Sequence, residues 1–247
     1  MKIVDQCTDE AVGSNPITRA SKKNHKNMVL FLYTDGILEL WYIFDMEDKI
    51  LSQEDFNLVL QEYEQLIFIP KQKPINQFFL CPVGLVGSGK TTVTKPLAER
   101  FNLIRISGDE IRKILHDKGY GYEKVWDIGS LLAEKYARLG YSVAMDTDCA
   151  TLRTREALEK LAKELGAKVI YIHINPPEDF IINKLKNYRH SWLFKDGEQA
   201  IENYKQRKPL HERLNLPYLF RFDTSSSNLE QQIIESEKLI KAETGNE

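Results

Sequence analysis

Residues 78–93 read FFLCPVGLVGSGKTTV, and four of them, Gly84, Gly89, Lys90 and Thr91, fit the pattern G-x-x-x-x-G-K-[ST]. The chemistry of that spacing is phosphate binding. Glycines let the backbone wrap closely around an anion, so that its N–H groups and a helix N-terminus point at it. In this reading Gly84, Gly87, Ser88, Gly89, Lys90, Thr91 and Thr92 form the nucleotide cradle. Lys90 reaches the β- and γ-phosphates, and the Thr91 hydroxyl ligates Mg²⁺. The competing reading is a Gly-rich turn that happens to hold Lys-Thr. The flanks argue against it: Phe78–Val83 is an apolar run expected to be a buried strand, and a helical pattern follows from Thr92 to Arg100. The chain is expected to bind a nucleoside triphosphate.

Two further polar clusters follow apolar runs. Ser107-Gly108-Asp109-Glu110-Ile111-Arg112 comes directly after Leu103–Ile106, and Asp146-Thr147-Asp148 directly after Tyr141–Met145. In a parallel sheet with right-handed crossovers, ligands gather at the carboxyl ends of the strands, so all three clusters should face one cleft. A phosphoryl acceptor hydroxyl needs a carboxylate to orient it and take its proton. Asp109 is expected to be that base, with Glu110 as the neighbouring alternative. Its bland role would be the N-cap of the next helix, which Ser107 can fill instead. Arg112 lies one turn on and can bind an acceptor phosphate or simply pair with Asp109. Asp146 is expected at the metal or the acceptor, and Asp148 at the acceptor.

Residues 184–213 hold eight Lys/Arg against four acids, a local net of +4. Cations that close over the leaving phosphates assist phosphoryl transfer. Arg189 and Arg207 are the leading pair. Lys184, Lys186, Lys195 and Lys205 read as ordinary surface lysines, and His190 and His211 as surface or hydrogen-bonded residues without ligand-spaced partners.

These clusters need a frame. Strand patterns at 77–83, 103–106, 141–146, 168–174 and 218–222 alternate with helical patterns at 90–101, 109–117, 123–139, 153–165, 177–187, 197–207 and 227–242. Such alternation predicts an α/β fold with a parallel sheet and helices on both faces. Ahead of it, residues 1–27 are polar and expected to be loosely ordered. Residues 28–70 are expected to form a small attachment: a hairpin around Asp35-Gly36, then a helix opened by Ser52-Gln53-Glu54-Asp55. Residues 71–76 read as a linker to a main domain at 77–247. Residues 35–64 carry nine Asp/Glu and one Lys. That acidic stretch reads as a solvated surface or as a docking face for a basic partner.

The whole chain, 247 residues with a net charge of −2 and 42% hydrophobic content, is an ordinary globular composition and makes no general case for nucleic-acid binding. The start, Met1-Lys2-Ile3-Val4-Asp5-Gln6, has no signal-peptide core, and no apolar stretch is long enough to span a bilayer. Cys7, Cys81 and Cys149 make no C-x-x-C pair, so the expected setting is the reducing cytoplasm.

From about residue 77 to 240 the chain resembles the small P-loop kinases, in particular the kinase domain of polynucleotide kinases and its broad group of ATP-binding relatives of the AAA_33 type. Gly84 to Thr91 looks like that group's G-x-x-G-S-G-K-[ST] loop. Asp109 to Arg112 looks like its Asp-x-x-Arg segment, and Asp146-Thr147-Asp148 like its Asp-Thr-Asn stretch. The region from Arg189 to Arg207 looks like its arginine-bearing lid. The resemblance implies five parallel strands in the order 2-3-1-4-5, with ATP and Mg²⁺ as cofactors. It also implies transfer to a hydroxyl of a nucleic-acid end or a small metabolite. Asp148 stands where the group usually has Asn. The alternative from another class is a nucleotide-dependent ATPase or switch whose acidic N-terminal piece engages a protein partner. No N-K-x-D run is present, and Asp146 is followed by Thr rather than by Glu.

Overall fold

The computed structural model describes residues 18–22, 27–34, 37–45, 49–188 and 193–246, the first three ranges as backbone path. The chain divides into two compact units, Met1–Ile50 and Leu51–Glu247.

The first unit is a three-stranded antiparallel sheet in the order β1-β2-β3, with β1 Thr18–Lys22, β2 Asn27–Thr34 and β3 Ile37–Asp45. The hairpin expected around Asp35-Gly36 is therefore only part of it, and the turn residues lie outside the described residues. Thr18–Lys22, inside the segment expected to be loose, is a third strand paired from Thr18↔Leu32 to Lys22↔Met28. An edge strand needs backbone pairing rather than an apolar face, which is why the polar run TRASK gave no pattern to read.

The second unit opens with α1, Gln53–Leu66. The boundary thus falls after Ile50, not near residue 70, and α1 belongs with the main body. Its start follows the capping pattern: Ser52 accepts the Asp55 N–H at 3.1 Å. Burial decides the boundary. Val59 and Tyr63 are fully buried in one core with residues of the strand Phe78–Val83 and the helices Gly108–Asp117 and Val125–Arg138, and burying two such side chains contributes about 1.5–3 kcal/mol each. The segment read as a linker is also tied down. Lys73 Nζ donates to Leu139 O at 2.6 Å, and Asn76 N–H donates to Asn246 Oδ1 at 2.8 Å.

The main sheet has five strands: β4 Phe78–Val83, β5 Ile104–Ser107, β6 Val143–Asp146, β7 Lys168–Ile174 and β8 Tyr218–Phe222. Their order is β5-β6-β4-β7-β8, all neighbours parallel. Counted within this sheet, that is 2-3-1-4-5, as expected. β4 sits at the centre and is buried along its whole length. Phe79, Cys81 and Val83 face one core, shared with α1, α3 (Gly108–Asp117), α4 (Val125–Arg138) and α5 (Leu152–Leu165). Phe78 and Leu80 face the other, shared with α2 (Lys90–Arg100) and α8 (Leu229–Thr244). Pro82 in this central strand costs nothing in the ladder. β4 and β6 pair only at Phe79 and Leu80, and the Pro82 carbonyl beyond them accepts the Cys149 N–H at 2.9 Å. The missing N–H lies beyond the two paired residues, level with Asp146 at the very end of β6.

Between β7 and β8 the chain forms α6, Glu178–Lys186, and α7, Gly197–Arg213. The latter runs six residues past its expected end, through Pro209. Leu85 packs with Ile181, Leu185, Ala200 and Tyr204 of this helical pair, which brings it onto the loop after β4.

Candidate active site

The loop from Gly84 to Gly89 has a shape that only small residues permit. Gly87 and Gly89 have φ of +78° and +92°, in the left-handed region that disfavours other residues. At Gly84 a Cβ would stand 2.6 Å from the Ile174 carbonyl oxygen. Ser88 Oγ is buried and meets no partner among the described residues. The Ser88 carbonyl accepts from the Thr224 hydroxyl at 2.7 Å, so the loop after β8 steadies this turn. α2 begins at Lys90 and aims its free N–H groups into the cradle.

Lys90 Nζ donates to the carbonyls of Gly84 and Leu85 at 2.8 and 3.0 Å. Burial lowers its pKa, and the negative charges of Asp148 and Asp109 offset part of that effect. The Thr91 hydroxyl donates to Asp146 Oδ1 at 3.0 Å, joining the start of α2 to the end of β6. Burial pushes the Asp146 carboxyl up, opposed chiefly by the Arg105 guanidinium, which donates to Asp146 Oδ2 at 2.6 Å and also pairs with Glu110. With a side chain only 1% exposed, Asp146 would be costly without that cation. Thr91 Oγ1 and Asp146 Oδ1 together offer hard oxygen donors suited to Mg²⁺ beside the phosphate cradle. Among the described residues no set of three or more His, Cys, Asp or Glu forms a metal cluster, so such an ion would rely on the nucleotide and water for its remaining ligands.

On the other side of Asp146, Ser107 is the N-cap of α3 and its hydroxyl accepts the Glu110 N–H at 3.4 Å. Asp109 is therefore not the cap. Its side chain is 60% exposed and accepts from Arg112 Nη1 at 2.8 Å. Asp109 and Arg112 thus form an i,i+3 ion pair, with the Asp109 carboxylate open to solvent. A Cβ on Gly108 would meet Thr147 Oγ1 and Arg112 Nη1 at 3.0 and 3.1 Å, so these groups crowd one spot.

Asp148, expected at the acceptor, is hydrogen-bonded within the chain. Oδ1 accepts the Gly84 N–H at 3.3 Å, while Oδ2 accepts from Arg207 Nη2 at 3.0 Å and lies 3.0 Å from His211 Nε2. Burial raises its pKa, but the His211 hydrogen bond and the charges of His211, Arg207 and Lys90 outweigh it and hold the carboxyl well below the ordinary range. These contacts clamp the loop after β4 to α7. Thr92 is exposed in the first turn of α2. Arg189 and His190 lie outside the described residues.

Sequence reasoning read His211 as a surface or hydrogen-bonded residue without naming Asp148 as its partner, and it gave no site role to Arg105, Thr224 or Tyr63. Arg105 carried a readable signal, a lone cation in an otherwise apolar strand. The partners of His211, Thr224 and Tyr63 lie far away in sequence, and nothing local names them.

Among the described residues no helix is long and apolar enough to cross a membrane. A search of curated proteins gave no match. Among solved structures, a candidate kinase of Chloroflexus aurantiacus J-10-fl aligns with a TM-score of 0.53 and 16% identity, covering 71% of this chain and 100% of its own. The APS kinase of Mycobacterium tuberculosis, solved with AMPPNP and APS, aligns at 0.48 and 16% over 68% of this chain and 99% of its own. A shikimate kinase from Bacteroides thetaiotaomicron aligns at 0.42 and 15% over 68% and 97%. At these identities the likeness is one of fold. A family model described as an AAA domain, AAA_33, matches residues 80–207. That span is more than half of the chain and holds the cradle, the Asp109–Arg112 segment, Asp146 and Arg207. The chain belongs to this AAA domain family and has the P-loop, kinase-like form of the fold.

Proposed function

We propose that this protein is an ATP- and Mg²⁺-dependent phosphotransferase that moves the γ-phosphoryl group to an acceptor hydroxyl. The observation that carries this reading is that the Thr91–Asp146 pair links the phosphate cradle to β6, whose neighbour β5 leads directly into Asp109 and Arg112. Donor-side and acceptor-side groups thereby share one end of one sheet. In this reading Lys90 and the loop N–H groups hold the β- and γ-phosphates, and Thr91 and Asp146 hold Mg²⁺, which neutralises phosphate charge. Asp109 takes the proton of the acceptor hydroxyl as that oxygen bonds to the γ-phosphorus and the bond to the β–γ bridging oxygen breaks. ADP leaves, and the proton passes from Asp109 to solvent. Arg112 orients the acceptor, exchanging its ion pair with Asp109 for a substrate anion. Arg207, with Arg189 from the lid, stabilises charge on the transferring group. The acceptor is a hydroxyl of a nucleic-acid end or of a small metabolite.

The test is direct. The purified full chain is incubated with Mg²⁺ and γ-labelled ATP, alone and with a panel of 5′-hydroxyl oligonucleotides and small hydroxylated metabolites. Label in an acceptor supports the proposal. ADP release that stays acceptor-independent across the panel favours the ATPase or switch reading, and absence of nucleotide binding overturns both.

A further inference from the structure

The contacts of Asp148 form a joint between the lid-side helix and the phosphate loop. Arg207 and His211 are four residues apart on α7 and so share a face. Both reach Asp148 Oδ2 at 3.0 Å, and Asp148 Oδ1 accepts the Gly84 N–H. The carboxylate is itself fixed, because the next residue, Cys149, is hydrogen-bonded to the Pro82 carbonyl of β4 at 2.9 Å. The His211 side chain is only 6% exposed, so its place in the joint is not that of a passing surface contact.

Two donors at one oxygen would be redundant if docking were the only purpose. The geometry gives each a separate role. Arg207 spends one nitrogen, Nη2, on Asp148. Among the described residues its Nε and Nη1 have no hydrogen-bond partner. A guanidinium alone with a carboxylate tends to close onto it through two parallel N–H bonds. The second bond of such a fork would fall on Oδ1, which already accepts the Gly84 N–H, and His211 at Oδ2 holds the carboxylate in that orientation, leaving the rest of the Arg207 fork free.

We propose that His211 is a positioning residue: acting through Asp148, it seats α7 on the Gly84 backbone and holds Arg207 in a single-bond pose with its remaining N–H groups available to a phosphate. The inference rests on the phosphotransferase reading above for its consequence in turnover, but the seating itself can be measured without turnover. His211 never touches the reacting atoms. Its effect is exerted on where Arg207 points.

The experiment compares wild type, His211→Leu, His211→Gln, Arg207→Met and the double variant Arg207→Met/His211→Leu, with Lys90→Ala as control. Glutamine places a donor nitrogen near that of His Nε2, so it tests rescue. ATP turnover should lose about tenfold or more in kcat in His211→Leu, the scale of cost that a small misplacement carries. KM and the affinity for AMPPNP should move less than about twofold, since most phosphate contacts are retained. His211→Gln should recover most of the loss, and His211→Leu should add nothing in the Arg207→Met background. Amide hydrogen exchange at 84–88 should quicken in His211→Leu and return in His211→Gln. Unchanged exchange at the loop overturns the seating whatever the activity does. A kcat loss that glutamine does not restore, or that adds fully to Arg207→Met, overturns the positioning role. If Lys90→Ala turns over like wild type, the phosphotransferase reading has failed instead, and exchange alone decides the seating.

Discussion

The Tyr63 hydroxyl accepts the Ser107 N–H at 2.6 Å, joining residues 44 apart in sequence. Ser107 ends β5 and caps α3, the helix that carries Asp109 and Arg112. Helix α1, which lies before the P-loop segment, therefore helps fix the start of the helix that carries Asp109 and Arg112. Both partners are buried, and burial pushes the Tyr63 phenol well above its ordinary range. Tyr63→Phe strands the Ser107 N–H, and the expected loss is about 1–3 kcal/mol. Urea unfolding checks it. A loss indistinguishable from zero would mean that water replaces the phenol and that α1 is only packing.

Lys90→Ala should lower phosphoryl transfer steeply while the fold stays intact, because among the described residues its Nζ donates only to the loop carbonyls of Gly84 and Leu85. The expected loss in kcat is about 100- to 1,000-fold, the range for removing a donor aimed at developing charge. Circular dichroism should be unchanged. Near-normal transfer would sink the assignment of the cradle.

Asp109→Asn should lower transfer by about 100-fold or more, as removal of a positioned base does, with ATP affinity little altered. Since Ser107 holds the cap, stability should also change little. The opposite pattern, activity kept and stability lost, would move the base to Glu110 or Asp146.

Asp148 predicts a slope in acid. Its folded-state pKa lies below the ordinary 3.8, so the unfolded chain takes up a proton that the folded chain refuses. The stabilisation is complete above the unfolded value and is lost as pH falls through and below it. Asp146, shifted upward, contributes a smaller slope of the opposite sign just above that value. Urea midpoints measured from about pH 6 down to about pH 2 should fall less steeply for Asp148→Asn than for wild type. Parallel curves would show that the clamp does not hold the carboxylate charged.

The segment 184–213, with its net of +4 in a chain of net −2, should close over bound nucleotide. Arg207 and Lys208 are already paired with Asp148 and Glu178, but the surplus of positive charge that remains is drawn to bound phosphates, and closure excludes water from the transfer. Adding AMPPNP with Mg²⁺ should slow hydrogen exchange across 184–213 and leave 35–64 unchanged. Protection confined to 35–64 would show that the closing element has been misplaced and would favour the partner-switch reading.

Local rules determine most of what is legible in this amino-acid sequence by itself. The five main strands stand out as apolar runs, and their helices as apolar stripes closed by stops such as Gly166, because both periods are set within one element. Gly84, Gly89, Lys90 and Thr91 are legible for the same reason: phosphate recognition by a turn is a matter of a few consecutive residues. The topology rule then places Asp109 and Asp146 at one end of the sheet. The rest is decided by contact across distance. Whether helix 53–66 belongs to the first or second unit depends on Val59 and Tyr63 being buried by α3 and α4, which no pattern within the helix encodes. Asp148 resembles an acceptor ligand when judged by its neighbours Asp146 and Thr147. It is a clamp because α7, some sixty residues later, delivers Arg207 and His211 to the same oxygen. Short-range spacing fixes which residues can bind phosphate; only long-range packing fixes which carboxylate stays exposed with a local partner, as Asp109 does, and which is held by distant ones, as Asp148 is.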